Sequence, residues 1–261
     1  MGGDRLCASG RTHPDSAGSR FVPPHWPTGS CGARGRCSIR IEDLAPDTAD
    51  HSTGLILRWR GQLLFAVEPV HRWREVTDRS SAIVPLVRFV GIGGHVEAGE
   101  SWRQAVLREA REEAGLEVSL VAPQATYLLG DDDTVIDVSA ELDWPDSPRP
   151  CFIWRAAQDL ERPSPEHAVR LVTAAFSAVG PDDVEPRPLA EIPAIVAISD
   201  TQLRRAAARP VCLRDLLADG ARIWESAPIP RSALLVPAGS ALGYAVLLIH
   251  HASHARQSEV S

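Results

Sequence analysis

A mixed α/β (α+β) domain is what the sequence predicts, and three observations predict it. Residues 54–59 and 63–67 are apolar runs joined by Arg60, Gly61 and Gln62, the pattern of a β-hairpin. Residues 83–90 are a β-branched run that enters Gly91-Ile92-Gly93-Gly94 and then a segment of helical period, so strand, glycine turn and helix follow one another. Beyond that helix, residues 117–121, 125–129, 151–156 and 170–179 have strand composition, with Asp- and Pro-rich connections between them. Strands outnumber helices. A helix over 200–208, capped by Asp200 or Thr201, and a short second one over 211–217 complete the series.

The helix after the glycine turn carries the most information. Ser101 precedes it with Gln104 three residues on, a capping box that satisfies amide donors otherwise orphaned at a helix start. The helix therefore begins near Trp102. Gly115 stands where a left-handed residue ends a helix, which gives about four turns. At ~100° per residue Val106, Leu107, Ala110 and Ala114 share one face, while Glu109, Glu112 and Glu113 gather at i, i+3 and i+4 on a neighbouring one. One stripe packs and the other collects charge.

Like charges at that spacing repel by a few tenths of a kcal/mol per pair. A solvated acidic face is the ordinary fate of such helices. Here the surrounding pattern favours a cation: hard divalent ions prefer carboxylate oxygens, and Mg²⁺ takes a few of them, keeps waters and completes its shell with substrate phosphates. Arg108 is placed to grip and orient one of the carboxylates with its planar fork.

Written by its fixed positions, the stretch is Gly94, five residues, Glu100, seven residues, Arg108-Glu109-Ala110, one residue, Glu112-Glu113, one residue, Gly115-Leu116. It resembles the Nudix box at every defining position, and the order of elements over residues 52–208 resembles the Nudix fold, a mixed β-sheet sandwiched between helices. The resemblance implies a Mg²⁺-dependent hydrolase, with Mn²⁺ as an alternative ion, that cleaves a diphosphate linkage in a nucleoside diphosphate joined to another moiety: a nucleotide-sugar, a dinucleotide or a nucleoside triphosphate. It implies metal ligation by Glu112, Glu113 and the Gly94 carbonyl, with Glu109 as ligand or water-orienting base and Glu100 as an outer ligand. Arg108 then orients Glu109 or a neighbour. Relatives also use an acidic residue outside the box, for which Glu191 is the candidate, ahead of Glu166 and of Asp131, Asp132 and Asp133. His95, next to Gly94, is a candidate phosphate contact.

Departures from the pattern bear on the substrate. Ile92 stands where many members have proline ahead of the glycine pair. The downstream proline or tyrosine that marks certain substrate classes is absent from residues 131–134, Pro123 and Tyr127 falling too early. Trp59, Trp73, Phe89 and Trp154 are candidates for base stacking or for the core. Two alternatives stand beside hydrolysis. One is a ligand-binding or regulatory module that has lost activity, against which the complete set of glutamates argues. The other is an isoprenoid diphosphate isomerase, against which the lack of any cysteine between Cys37 and Cys151 argues.

The chain has 261 residues, 44% of them hydrophobic, a formal charge of -7, and no lysine, so all 27 basic residues are arginine. That size supports one catalytic domain with extensions, and the acidic balance disfavours binding to nucleic acid or to an anionic membrane. The expected organisation is a poorly ordered extension over residues 1–50, rich in Gly, Ser, Pro and Arg, with 40–44 as a first ordered segment; a domain over 51–208; and a C-terminal extension over 209–261 packing on or following it. Within that last part residues 233–249 carry no charge. Pro237, Gly239, Ser240 and Gly243 interrupt them, so strand, turn and strand are expected rather than a membrane span. No apolar run follows Met1, and Cys7, Cys31, Cys37, Cys151 and Cys212 form no disulfide or zinc spacing, so a cytoplasmic protein with reduced thiols is expected, acting on a small molecule, with a homodimer as the candidate assembly.

Overall fold

The computed structural model describes residues 38–44, 49–78, 80–130, 134–156 and 171–258. In chain order its elements are β1 (Ile39–Arg40), α1 (Ile41–Leu44), β2 (Asp50–Trp59), β3 (Gln62–Val67), a 3-10 turn (Val70–Arg72), β4 (Arg74–Thr77), β5 (Ile83–Val90) and α2 (Trp102–Ala114). There follow β6 (Ser119–Val121), β7 (Tyr127–Leu129), β8 (Val135–Asp137), β9 (Leu142–Asp143), β10 (Phe152–Ala156), β11 (Leu171–Val179) and β12 (Ala194–Ile198). The last elements are α3 (Asp200–Ala208), β13 (Val211–Cys212), α4 (Leu213–Ala218), β14 (Arg222–Glu225), β15 (Leu234–Pro237) and α5 (Gly239–Ser258).

The sheet is built around the predicted hairpin. Arg60 at φ 48° and Gly61 at φ 80° form its turn, and positive φ at both central residues matches the right-handed twist of the flanking strands. Trp59 then faces Gln62, so Gln62 belongs to the strand and not to the turn. β2 also lies parallel to β11 along nine residue pairs, and β3 pairs antiparallel with β5 and with β12. The resulting mixed sheet runs β13-β15-β5-β3-β2-β11-β10-β7-β8, with β12, β14, β4 and β6 branching from that path.

Alternation along the strands serves two cores, because successive side chains of a strand point to opposite faces. Leu55, Leu57 and Trp59 of β2 and Leu64 and Ala66 of β3 pack with Trp102, Val106, Ala110 and Ala114 of α2. Ile56 of β2 and Leu63, Phe65 and Val67 of β3 pack on the other side with Leu203 and Ala206 of α3, Leu213 and Leu216 of α4, and Ala241 and Ala245 of α5. A mixed sheet between helices is the architecture, as the sequence predicts. Each fully buried Leu, Val or Phe on these faces contributes roughly 1.5–3 kcal/mol of transfer free energy.

Several elements differ from the sequence expectation. Residues 233–249 are not strand, turn and strand: β15 is followed directly by α5. The small residues that suggested a turn are there for close approach. A Cβ at Gly243 would lie 2.8 Å from the Phe152 ring, and Ser240 presses its side chain onto Gly54 and Gly91 of the sheet. No helix among the described residues is long and apolar enough to cross a membrane. Ser199, rather than Asp200 or Thr201, caps α3, exchanging bonds with Gln202 as Ser101 does with Gln104. β12 was not anticipated; all five of its residues are buried, so it shows no polar alternation. β4, over Arg74–Thr77, is a further strand outside the sequence expectation. Residues after 209 supply β15, which lies parallel to β5, and β14, which pairs with β12. At the other end Ile41 and Leu44 of α1 join the α2-side core. Cys151 and Cys212 are free thiols, whereas Cys7, Cys31 and Cys37 lie outside the described residues.

Candidate metal centre

The site begins with two local constraints on α2. At its start the Ser101 N–H donates to Gln104 Oε1 at 2.8 Å and Gln104 N–H donates to Ser101 Oγ at 3.3 Å. At its end Gly115 takes φ 64°, a conformation glycine adopts without the steric cost a Cβ brings. The buried stripe docks the helix on the sheet and turns the glutamate stripe toward the glycine loop.

That loop is pinned by β2. Leu55 N–H donates to Ile92 O at 2.7 Å, Thr53 N–H to Gly94 O at 2.8 Å and Val96 N–H to His51 O at 3.0 Å. Gly93, at φ 156°, crosses so close to Thr53 that a Cβ would stand 2.2 Å from its carbonyl oxygen. Gly94 is thereby held against the helix, where a Cβ would meet Glu109 Oε1 at 2.2 Å. The pair of glycines is required by space on both sides.

Arg108 is the hub of the carboxylates. Its Nε and one terminal nitrogen donate to the two oxygens of Glu100 at 3.0 and 3.1 Å, and its other terminal nitrogen donates to Glu109 at 2.8 Å and Glu112 at 2.9 Å. It also donates to the His95 carbonyl at 3.0 Å. Glu109 and Glu100 are largely covered and Glu112 is half exposed. These bonds hold the Glu100 carboxyl below its ordinary range, Arg108 first among the causes, and they keep the Arg108 guanidinium more firmly protonated than usual. Glu113 stands apart, accepting the Gly93 N–H at 2.9 Å. Burial pushes its carboxyl up to about 7, the Gly93 bond opposing this and the charges of Glu109 and Glu112 adding to it.

Among the described residues, no three His, Cys, Asp or Glu side chains converge as a ready metal-holding group; Arg108 and the Gly93 amide take the carboxylates instead. The donor chemistry nevertheless fits a hard divalent ion. Glu109, Glu112 and Glu113 offer carboxylate oxygens from one helix, and Gly94 lies so near Glu109 that a side chain at 94 would fill the space beside that carboxylate. Oxygen-only donors of this kind suit Mg²⁺ or Mn²⁺.

The remaining candidates are placed as follows. His95 is exposed at the loop, bridged to Ser52. Glu191 is exposed in the turn after Ala190, near the end of α2, where Leu189 N–H donates to Glu113 O at 2.9 Å and Arg187 N–H to Ala114 O at 2.9 Å. Asp131, Asp132, Asp133 and Glu166 lie outside the described residues. Trp59 and Phe89 are fully buried and belong to the cores, Trp73 donates to Glu68 O at 2.8 Å, and Trp154 packs on the α5-side core. Two positioning residues were not anticipated. Thr53 holds the Gly94 carbonyl, and His51 stacks on Trp102 at 5.2 Å, fixing the start of α2 to β2. No local signal marks either, since their partners lie 41 and 51 positions along the chain.

A family model of the NUDIX domain matches residues 55–192, more than half of the chain. Among solved structures the chain is similar to a NUDIX-family hydrolase from Clostridium perfringens, at 20% identity over 60% of this chain and 86% of that one, TM-score 0.34. It is similar also to the E. coli dihydroneopterin triphosphate pyrophosphohydrolase, at 14% identity over 60% and 86%, TM-score 0.35. A third is a MutT protein from Methanosarcina mazei Go1, at 14% identity over 66% and 91%, TM-score 0.36. A search of curated proteins gives no match. With a glycine loop, capped helix and carboxylate cluster inside the matched residues, the chain belongs to the Nudix family.

Proposed function

We propose that this chain is a Mg²⁺-dependent pyrophosphohydrolase that cleaves a diphosphate linkage in a nucleoside diphosphate joined to another moiety, or in a nucleoside triphosphate. The observation that carries the reading is the gathering of Glu100, Glu109 and Glu112 on Arg108, with Glu113 beside them on the Gly93 amide. Glu112, Glu113, Glu109 and the Gly94 carbonyl would hold the ion, with Glu100 as an outer ligand. The ion supplies charge neutralisation for the diphosphate and a bound water of lowered pKa.

The chain's own groups supply the rest. Arg108 donates N–H groups that fix the orientation of Glu109 and Glu112, and two further bonds tie it to Glu100. Glu109, the better covered of the two, is the group to accept a proton from attacking water; Glu191 is the candidate from outside the helix. His95, exposed beside Gly94, contacts a phosphate oxygen. Positioning and electrostatics dominate such phosphoryl chemistry, so little covalent participation by the protein is needed.

The test is a screen of nucleotides, nucleotide-sugars and dinucleotides with Mg²⁺, run for the wild type and for Glu112→Gln and Glu113→Gln. Turnover in the wild type and its loss by several orders of magnitude in both variants is the expected result. Equal activity in the variants would sink the assignment of these ligands, and no turnover of any diphosphate would favour a binding module.

A further inference from the structure

On the other side of the sheet from α2, the last turns of α5 carry His250, His251 and His254. His250 and His254 are four residues apart, so they lie one above the other on the same helical face, and their Nε2 atoms stand 3.0 Å from each other with ring centroids 4.3 Å apart. His251 meets the Tyr127 ring of β7 edge-on at 5.2 Å and the His250 ring edge-on at 5.8 Å. Ser253 Oγ donates back to the Ile249 carbonyl at 3.0 Å, which occupies its hydroxyl within the helix.

We propose that His250 and His254 form a two-nitrogen site for a divalent transition ion such as Zn²⁺, separate from the Mg²⁺ carboxylates. An ion bound at about 2.0–2.1 Å by two imidazole nitrogens in neighbouring positions separates those nitrogens by about 2.9–3.4 Å, the range between octahedral and tetrahedral angles. The observed 3.0 Å falls in it. Histidines at i and i+4 on one helical face are a general way of presenting two ligands to zinc. The ring of His250 has its Nδ1 buried without a hydrogen-bond partner among the described residues, which leaves Nε2 as its outward donor. In the metal-free chain one N–H shared between the two nitrogens gives the same spacing; on binding, the donating ring loses its Nε2 proton to solvent and takes one up at Nδ1, so that both Nε2 lone pairs face the ion. Imidazole favours Zn²⁺, Cu²⁺ or Ni²⁺ and not Mg²⁺, so the two sites select different ions.

The experiment is calorimetric titration of ZnCl₂ into the full untagged chain in saturating Mg²⁺, with His254→Ala and His250→Ala alongside. One Zn²⁺ per wild-type chain is expected, with affinity lowered at least tenfold in either variant. Equal Zn²⁺ binding in wild type and variants, or none in the wild type, overturns the proposal. His254 is exposed, so its variant serves if the His250 variant folds poorly, and thermal melts in EDTA check that each variant retains its fold.

Discussion

Glu113→Gln separates the helix's structural interest from its chemical one. The wild-type carboxyl is raised from 4.5 to about 7, chiefly by burial. Between those values the folded chain keeps a proton that the unfolded chain has released, so stability falls as pH rises through that window. At about 1.4 kcal/mol per unit, the ion-free wild type gives up about 3 kcal/mol by pH 8 relative to acid, and under about 1 kcal/mol of that by pH 5. Glutamine keeps an oxygen for the Gly93 N–H and carries no charge, so that loss disappears. In EDTA the variant's melting temperature, measured relative to wild type, should rise between pH 5 and pH 8 by an amount corresponding to 2–3 kcal/mol, roughly 4–12 °C for a domain of this size. At the same pH 8, with Mg²⁺, its turnover should be lost. The readout is the change between the two pH values, so a constant packing penalty from the new amide does not affect it. Parallel melting profiles for the two proteins would refute the argument that burial of this carboxyl stores the penalty.

Other outcomes follow from the same geometry. Mg²⁺ affinity of the wild type should rise by up to about tenfold per pH unit below 7 and level off above it, because binding expels the Glu113 proton; a titration at pH 6, 7 and 8 that shows no trend would contradict this. Gly94→Ala should displace the flexible end of Glu109 from its 2.2 Å conflict, lowering kcat on the order of a hundredfold with little change in melting temperature. Gly93→Ala, whose added carbon meets the Thr53 backbone, should instead lose stability, and equal stability of the two variants would overturn the contrast. Arg108→Lys cannot grip both oxygens of Glu100 while holding Glu109 and Glu112, so Mg²⁺ half-saturation should rise about 10- to 100-fold; an unchanged value would show the hub to be dispensable.

The box helix was legible because its determinants are near neighbours in sequence. Ser101 and Gln104 are three residues apart, the buried stripe repeats with the helical turn, and Gly115 stops it; each is a contact within a turn or two of chain. The hairpin was legible for the same reason. β12 was not, since a strand buried on both faces has no alternation to reveal it. α5 was misread because glycine and serine carry the same letters whether they break a chain or let it approach a neighbour; only Phe152, Gly54 and Gly91 across the core decide which. The stacking candidates Trp59 and Phe89 were ambiguous for a related reason: an aromatic side chain at a strand position fits a core or a base equally until its neighbours are known.

What the sequence by itself determined is the composition of the site and the local shape that carries it: three glutamates and one arginine on a capped helix, with Glu100 just before the cap, behind a pair of glycines. What only the tertiary structure decided is how those groups divide. Glu100, Glu109 and Glu112 share Arg108, while Glu113 is half-buried on the Gly93 amide, its carboxyl pushed up from its ordinary value. Helical periodicity places all of the α2 glutamates on adjoining faces. The difference between them comes from outside the helix: β2, some 40 to 60 positions away, holds through Thr53 the loop whose Gly93 amide meets Glu113, and that contact is not written in the spacing of the helix.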